Sequence, residues 1–208
     1  MFLVRHGETE FNRAGRIQGR LDSPLTPTGV AQAKAIGRHL KALIGPTTGW
    51  TIQTSPLGRA VATAGIIRAQ TGIRAELILD DRLREVSLGS WDGLSRADID
   101  ARWPGVLGAS LRHSWAQSCP DGESIDAVLL RLAHWLQAHT DHRTLIVVSH
   151  GITGSLLRGL YAKLPRDTML SLPTPQDSFQ RLADGAVQDV AVPGLQDLVS
   201  PLRQQRLI

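Results

Sequence analysis

The sequence predicts an α/β protein of three layers, in which helices cover both faces of a mostly parallel central sheet. Short apolar runs alternate along the chain with stretches whose apolar residues recur at helical spacing, a pattern typical of parallel sheets. The length of 208 residues fits a single domain. Charged and polar residues follow three of the predicted strands, at the sheet edge where such folds place their ligands.

Local signals define the elements of the first part of the chain. Residues 2–5 form a short apolar run, which is typical of a buried strand. Thr26 and Pro27 favour the start of a helix, because threonine caps a first turn and proline fits its first position. Gly45 and Pro46 end that helix. The predicted elements up to residue 79 are strands at 2–5, 51–54 and 75–79 and helices at 27–44 and 57–72.

The second part contains the strongest strand signal and one region of different character. Residues 145–148 are all large and apolar, and helical patterns precede them at 125–136 and follow them at 153–161. Residues about 87 to 142 mix glycine, tryptophan and aspartate with short helical stretches. We interpret them as a helical insertion that caps the carboxyl edge of the sheet, within one domain over residues 1–208. The segment beyond about residue 162 is left unassigned.

Composition excludes several classes of protein. The 23 basic residues, all but three of them arginine, exceed the 19 acidic ones, but they are spread among the acids and form no stripe for nucleic acid. No apolar run reaches the roughly 20 residues of a membrane-spanning helix. The single cysteine, Cys119, cannot form an internal disulfide or a thiolate metal site.

Two further expectations concern location and the remaining histidines. The chain opens directly on its apolar strand, with no basic leader before it, and we therefore expect a cytoplasmic protein. His139 and His142 have a metal-like spacing, but no cysteine or carboxylate partner matches them. We expect both histidines at the surface.

Three segments end predicted strands with polar residues, and a parallel sheet would bring them to one edge. Two histidines and two arginines would then surround one point, and a cluster so cationic needs an anion. Phosphate fits, because arginine donates paired N–H groups to its oxygens and a helix start favours anions. A neutral imidazole held against phosphorus can act as the nucleophile. The segments are RHGE at 5–8, SPLGR at 55–59 and SHG at 149–151.

Phosphoryl transfer also needs an acid for the leaving oxygen. Glu85 follows the third predicted strand and can reach the same edge. A carboxylate beside a phosphate dianion readily takes a proton, which suits a general acid that later serves as the base for water. The competing carboxylates are Glu8, Asp81, Asp92 and Glu123.

The motif LVRHGETEFN at 3–12 resembles the signature of the histidine phosphatase superfamily, also called the phosphoglycerate mutase-like family. The resemblance covers most of residues 1–95 and 144–160. Several motifs in the family's order and spacing are much more specific than one Arg-His-Gly sequence. The further motifs are QG at 18–19, PLTPTG at 24–29, SPLGRA at 55–60, LRE at 83–85 and SHG at 149–151.

The resemblance implies a role for each matching residue. His6 would be the phosphorylated nucleophile and Glu85 the proton donor. No metal or organic cofactor is expected, because arginines and histidines would supply the positive charge. The phosphate pocket would be completed by Arg5, Arg59 and His150, with help from Asn12 and the Gly151 backbone, and Thr9, Gln18 and Gly19 would lie on the substrate side.

Two departures favour the phosphatase branch of the family over its mutases. Mutases usually carry Tyr-Gly shortly after the acid and asparagine after the second His-Gly. Here Glu85 is followed by VSLGSWDG, and Gly151 is followed by Ile152 and Thr153. The sequence therefore predicts metal-independent hydrolysis of a small phosphate monoester through phosphohistidine. The alternatives are mutase-type phosphotransfer and an inactive relative that binds phosphate esters.

The expected partner is a small phosphorylated metabolite. Neither nucleic acid nor a membrane is expected as a partner, and a homodimer is left open.

Overall fold

The computed structural model describes residues 1–108, 114–139 and 143–195 and confirms the predicted fold class. The strands of these ranges form one six-stranded sheet in the order β3-β2-β4-β1-β5-β6. The strands are β1 (Phe2–Arg5), β2 (Thr51–Thr54), β3 (Leu77–Leu79), β4 (Leu145–Ser149), β5 (Ser178–Ala183) and β6 (Ala186–Ala191). The helices are α1 (Glu10–Arg13), α2 (Pro27–Ile44), α3 (Gly58–Thr71), α4 (Arg96–Arg102), α5 (Ile125–Gln137), α6 (Gly151–Tyr161) and α7 (Arg166–Ser171).

The central register places the two motif histidines side by side. Strands β1 to β4 are mutually parallel where they pair, and β1 runs beside β4 with Arg5 opposite Ser149. The residue after each of these partners is a histidine. The backbone N–H of His6 donates to the Ser149 carbonyl at 2.9 Å, so His6 and His150 leave the same sheet edge together.

The helix and the two strands that follow α6 are left unassigned by the sequence. Strands β5 and β6 run antiparallel, β5 against β1 and β6 against β5, and α7 precedes them. The pair Asp184–Gly185 turns this hairpin, with φ of 51° and 77°, and Asp-Gly is a recognised hairpin signal. Two elements begin two residues away from their predicted starts, because β3 begins at Leu77 and α6 begins at Gly151.

Alternating residues of the buried strands pack into two separate cores. In β4, Leu145 and Val147 face the core that contains α5 and α6, whereas Ile146 and Val148 face the core that contains α2 and α3. This division is the expected consequence of side chains alternating between the faces of a doubly covered sheet.

Helix α5 lies within the region interpreted as an insertion, yet it packs beside α6 in the layer on the sheet. The cap interpretation of residues 87–142 stays a prediction. Trp91 and Trp135 are fully buried in the same core, and Trp91 stacks near Trp115 with ring centroids 6.4 Å apart.

The surface placement expected for His139 is wrong. Only 8% of this residue is exposed, and its ring stacks on Trp135 with centroids 4.4 Å apart. Its Nδ1 donates to the Trp135 carbonyl at 2.6 Å, and its Nε2 lies 2.7 Å from the Gln53 amide nitrogen. The buried glutamine gave no sequence signal, and His142 lies outside the described residues. Within the described ranges, no three His, Cys, Asp or Glu side chains group as a metal site, and no helix is long and apolar enough to cross a membrane.

Two glycines allow the loop after β1 to touch the start of α2 backbone to backbone. A Cβ on Gly29 would lie 2.0 Å from the Glu8 carbonyl oxygen, and one on Gly7 would lie 2.4 Å from the Gly29 carbonyl oxygen. We therefore expect Gly29→Ala to lower the free energy of unfolding by about 1–3 kcal/mol through overpacking. Urea unfolding measures the change.

Gly65 provides the matched control in α3. A Cβ there meets nothing within 4 Å, so Gly65→Ala should stabilise the protein by roughly 0.5–1 kcal/mol. A Gly29→Ala variant as stable as the parent protein would show that the backbone contact is not tight.

Candidate active site

His6 directly follows β1 and is buried at the edge of the sheet. Its Nδ1 lies 2.8 Å from the Gly7 carbonyl, which can only accept, so Nδ1 carries the ring hydrogen. Its Nε2 accepts a hydrogen bond from Nε of Arg59 at 3.3 Å. These two contacts select the neutral tautomer with a lone pair on Nε2, which is the form a nucleophilic imidazole needs.

Arg59 lies in the first turn of α3 and is almost fully buried. Its Nη1 donates to the Leu21 carbonyl at 2.7 Å and its Nη2 to the Gly19 carbonyl at 2.8 Å. Burial lowers the pKa of Arg59, while Glu85 and Asp22 act in the opposite direction. The guanidinium thus connects the loop around Gly19 to His6 and brings a positive charge to the site.

His150 precedes α6, and its ring centroid lies 5.2 Å from that of His6. Its Nε2 is 2.7 Å from Oγ of Ser55, and that hydroxyl accepts the Leu57 N–H at 3.3 Å. The hydroxyl can donate to Nε2 while it accepts the Leu57 N–H, and in that arrangement Nδ1 carries the ring hydrogen. Nδ1 is buried with no hydrogen-bond partner among the described residues. Such a donor suits an anionic oxygen.

The charge state of His150 follows from its surroundings. Burial first, and then the positive charges of nearby arginines, Arg59 before Arg5, hold its pKa well below the ordinary value of 6.5. The imidazole is therefore neutral at pH 7.

This shift predicts a loss of stability in acid. The unfolded chain binds the His150 proton near pH 6.5, whereas the folded protein binds it only well below that value. Below pH 6.5 the unfolded state holds more protons, so the free energy of unfolding falls with decreasing pH, by up to about 1.4 kcal/mol per unit. Urea unfolding between about pH 5 and about pH 7.5 measures this slope.

His150→Gln should flatten that slope, because the variant has no imidazole to protonate. His134 is exposed, and His134→Gln should keep the parent slope. A His150→Gln variant with an unchanged slope would contradict the assignment.

Arg5 and Glu85 meet beside Gly151 at the start of α6. A Cβ on Gly151 would lie 3.6 Å from the guanidinium carbon of Arg5 and 3.6 Å from Oε2 of Glu85. Arg5 is held in place from the other side, because its Nη1 donates to the Thr174 carbonyl. The absence of a side chain at Gly151 therefore leaves room where a cation and a carboxylate converge.

The Glu85 carboxylate accepts hydrogen bonds from the backbone of its own loop and from the backbone of α6. Its Oε1 accepts N–H groups from Val86 and Thr153, each at 3.0 Å, and its Oε2 accepts from Ile152 at 3.2 Å. The positive end of the helix dipole favours a carboxylate at this position. Glu85 is thus a buried carboxylate held in place at the same sheet edge as His6.

The competing carboxylates are engaged elsewhere in the described chain. Glu8 accepts from Oγ1 of Thr26 at 2.9 Å, and Asp92 accepts backbone N–H groups of Arg20 and Leu88. Asp81 pairs with Arg84, and Glu123 pairs with Arg131 and Arg20. None of the four lines the cavity beside His6.

That cavity has a volume of about 140 Å³ and opens beside the histidine. Most of the residues predicted for the site line it, and His150 and Thr9 are the two that do not. Thr9 caps α1, because its Oγ1 accepts the Asn12 N–H at 3.2 Å and its own N–H donates to Oδ1 of Asn12 at 3.3 Å. The predicted residues that line the cavity are Arg5, His6, Asn12, Gln18, Gly19, Arg59, Glu85 and Gly151.

Sequence reasoning missed several residues of this site. Gln176 is buried, and its Nε2 donates to the His6 carbonyl at 2.8 Å and to Oδ1 of Asn12 at 3.2 Å. It comes from the segment left unassigned, and no local motif marks it. The outer wall of the cavity adds Arg16, Ile17, Leu88, Trp115 and Ile152.

His6, two arginines and one buried carboxylate line a single cavity, and the ring of a second histidine lies 5.2 Å from that of His6. This arrangement is suited to a phosphoryl group. The sequence of residues 1–184 matches the family model of the histidine phosphatase superfamily (branch 1). The chain belongs to this family of enzymes.

Individual relatives carry the names of two activities. The chain is 37% identical over 180 residues to the probable phosphoglycerate mutase GpmB of Photorhabdus laumondii, with 79% of this chain and 75% of the relative covered. It is 32% identical over 180 residues to the glucosyl-3-phosphoglycerate phosphatase of Mycobacterium tuberculosis, with 79% and 76% covered. A mycobacterial glucosyl-3-phosphoglycerate phosphatase in complex with inorganic phosphate superposes with a TM-score of 0.73 at 29% identity, covering 96% of this chain and 99% of the other.

Proposed function

We propose that the protein is a metal-independent phosphatase that hydrolyses a small phosphate monoester through a phosphohistidine on His6. The observation that carries this proposal is the pairing of two groups in one cavity. His6 has a lone pair on Nε2, because its ring hydrogen is on Nδ1 and is donated to the Gly7 carbonyl. Glu85 lines the same cavity as His6. A nucleophile and a proton donor at one site are the two requirements of this reaction.

In the first step, Nε2 of His6 forms a bond to phosphorus while the bond from phosphorus to the ester oxygen breaks. The leaving oxygen takes both electrons of that bond and receives the proton of Glu85. The products are an alcohol, a phosphohistidine and an ionised Glu85. The hydrogen bond that Nδ1 donates to the Gly7 carbonyl stabilises the positive charge that develops on the imidazole ring.

In the second step, water attacks the phosphohistidine. The water oxygen forms a bond to phosphorus while Glu85 accepts a proton from the water. The bond from phosphorus to Nε2 of His6 breaks. His6 recovers its lone pair, and inorganic phosphate is released. Glu85 regains its proton, so the cycle closes without a metal or an oxidant.

The phosphoryl oxygens would bind to donors that surround His6. Arg5 and Arg59 supply positive charge. Nδ1 of His150 is buried without a protein partner among the described residues, and it is a donor in the tautomer that accepts the Ser55 hydroxyl at Nε2. Gln176 and Thr9 both donate to Oδ1 of Asn12, which leaves its Nδ2 to donate toward the cavity. These fixed dipoles would stabilise charge without rearranging during the reaction.

Hydrolysis rather than transfer to a second acceptor is supported by the departures from the mutase pattern at residues 86–93 and 152–153. Mutase activity is kept as the second candidate, because the relative with 37% identity bears that name.

Three further expectations belong to this proposal. The ligand is a small phosphorylated metabolite, residues 87–142 cover the site as a cap of one domain, and the protein acts in the cytoplasm.

Phosphate release in the presence of EDTA tests the proposed function. Purified protein should release phosphate from p-nitrophenyl phosphate with or without the chelator. Inactivity across a broad panel of phosphate esters would instead favour an inactive phosphate-binding relative. Interconversion of phosphoglycerates that depends on 2,3-bisphosphoglycerate and outpaces phosphate release would establish the mutase.

A further inference from the structure

Thr153 lies in the first turn of α6 and is fully buried. Its hydroxyl oxygen lies 2.7 Å from the Arg84 carbonyl oxygen and 3.0 Å from Oε1 of Glu85. A hydroxyl has a single hydrogen, so it donates to one of these two acceptors at a time. The side chain therefore has two hydrogen-bonded states that differ only in the direction of its O–H bond.

The two oxygens of Glu85 are not equivalent. Oε1 has three donors at 3.0 Å, namely the N–H groups of Val86 and Thr153 and the Thr153 hydroxyl. Oε2 has one, the Ile152 N–H at 3.2 Å, and it lies on the side of Gly151 and Arg5. Oε1 keeps its two N–H donors whichever way the hydroxyl points, whereas Oε2 has a single donor. Oε2 is therefore the less hydrogen-bonded oxygen and the one that takes the proton.

We propose that Thr153 is the positioning residue of Glu85, and that its hydroxyl turns from the Arg84 carbonyl to Oε1 when Glu85 gives up its proton. While Glu85 is protonated at Oε2, its Oε1 is the weaker acceptor, and the hydroxyl donates to the Arg84 carbonyl. As the proton leaves, charge develops on the carboxylate and the hydroxyl donates to Oε1. The hydrogen of Thr153 stays on its own oxygen throughout, so no proton is gained or lost.

This arrangement has two consequences for catalysis. The unequal number of donors on Oε1 and Oε2 fixes which carboxylate oxygen carries the proton, and that oxygen lies on the side of Gly151 and Arg5. The hydroxyl contact strengthens only as Glu85 becomes charged, so it stabilises the transition state of proton transfer more than the ground state. Its contribution should therefore grow with the amount of proton transfer that the leaving group requires.

The inference rests on the proposed role of Glu85, and a series of aryl phosphates tests both. Thr153→Val removes the hydroxyl and keeps the branched shape. For phenyl phosphate, whose leaving oxygen needs a proton, kcat/KM should fall about tenfold or more, because a hydrogen bond to a developing charge is lost. For p-nitrophenyl phosphate, a far better leaving group, the loss should be much smaller.

Thr153→Ser is the matched control, because it restores the hydroxyl and should restore the parent dependence on the leaving group. Thr153→Ala serves as a second variant without the hydroxyl if the valine does not fold, and urea unfolding of each variant checks its integrity. An equal loss for every ester would mean that Thr153 only supports the fold, and would overturn the inference.

Glu85→Gln separates failure of this inference from failure of the proposed function. If Glu85→Gln steepens the dependence on the leaving group and Thr153→Val does not, Glu85 is the acid and Thr153 does not position it. If neither variant steepens the dependence, the proposed acid itself is wrong.

Discussion

His6→Ala is expected to lower kcat for every phosphate ester by about 10⁴-fold or more, because it removes the atom that forms the covalent bond to phosphorus. The remaining donors around the cavity would still bind phosphate, so the variant should retain affinity for inorganic phosphate. Steady-state kinetics with p-nitrophenyl phosphate measure the loss. Isothermal titration with inorganic phosphate measures the binding that survives.

The control for this prediction is an exposed histidine. His134 lies on α5, and its side chain faces solvent, so His134→Ala should keep the parent kcat. Urea unfolding should show that His6→Ala is folded. Activity within a few-fold of the parent protein in His6→Ala would rule out nucleophilic attack by His6.

Glu85→Gln is expected to have the second largest effect, a loss of about 10²–10⁴-fold in kcat/KM for phenyl phosphate. Glutamine keeps the size of the side chain and can still accept an N–H bond, but it has no proton to give. The loss should shrink for p-nitrophenyl phosphate, because its leaving oxygen is stable without a proton. Initial rates over the series of aryl phosphates give the slope.

A matched control is available in Glu76, whose side chain is 88% exposed and pairs with Arg68. Glu76→Gln should leave the rate and its dependence on the leaving group unchanged. If Glu85→Gln lowers the rate equally for all esters, Glu85 contributes charge or structure and is not the proton donor.

The parts of the fold that sequence predicts well are those with strong local signals. Oγ1 of Thr26 accepts the Gly29 N–H at 3.0 Å and caps α2, as its position before Pro27 predicts. Strand β4 is buried at every residue, which agrees with its unbroken apolar run. In both cases the residues that form the element also carry the information that locates it.

The elements that sequence missed depend on partners far along the chain. Most of β6 is exposed, with only Val187 and Val190 partly covered, so its apolar pattern is weak. Its register is set by β5, and β5 is in turn set by pairing with β1 at the other end of the chain. Local periodicity contains none of this information.

The candidate site shows the same division. His6, Arg59 and His150 stand in motifs whose spacing marks them, and parallel strands bring such motifs to one edge. Gln176 reaches the His6 carbonyl from 170 residues away, and an isolated glutamine in a loop gives no signal of that contact. The hydrogen bonds from the N–H groups of α6 to Glu85 join a loop to a helix that is distant in the sequence. No local pattern predicts them.

The arginine content also acquires a structural explanation. Besides Arg59, Arg158 is buried, and its guanidinium donates to the carbonyls of Gly154 and Pro173. Arg158 and Arg5 therefore hold two consecutive residues, Pro173 and Thr174. The segment that carries Gln176 is anchored by arginines, a use of positive charge that composition does not reveal.

Trapping of the covalent intermediate tests the central claim most directly. Protein mixed briefly with radiolabelled p-nitrophenyl phosphate and quenched in base should carry a label that is stable to base, labile to acid and located on His6. The label should be absent from His6→Ala and present in His134→Ala. An active enzyme that carries no such label, or carries it on another residue, would contradict the phosphohistidine mechanism.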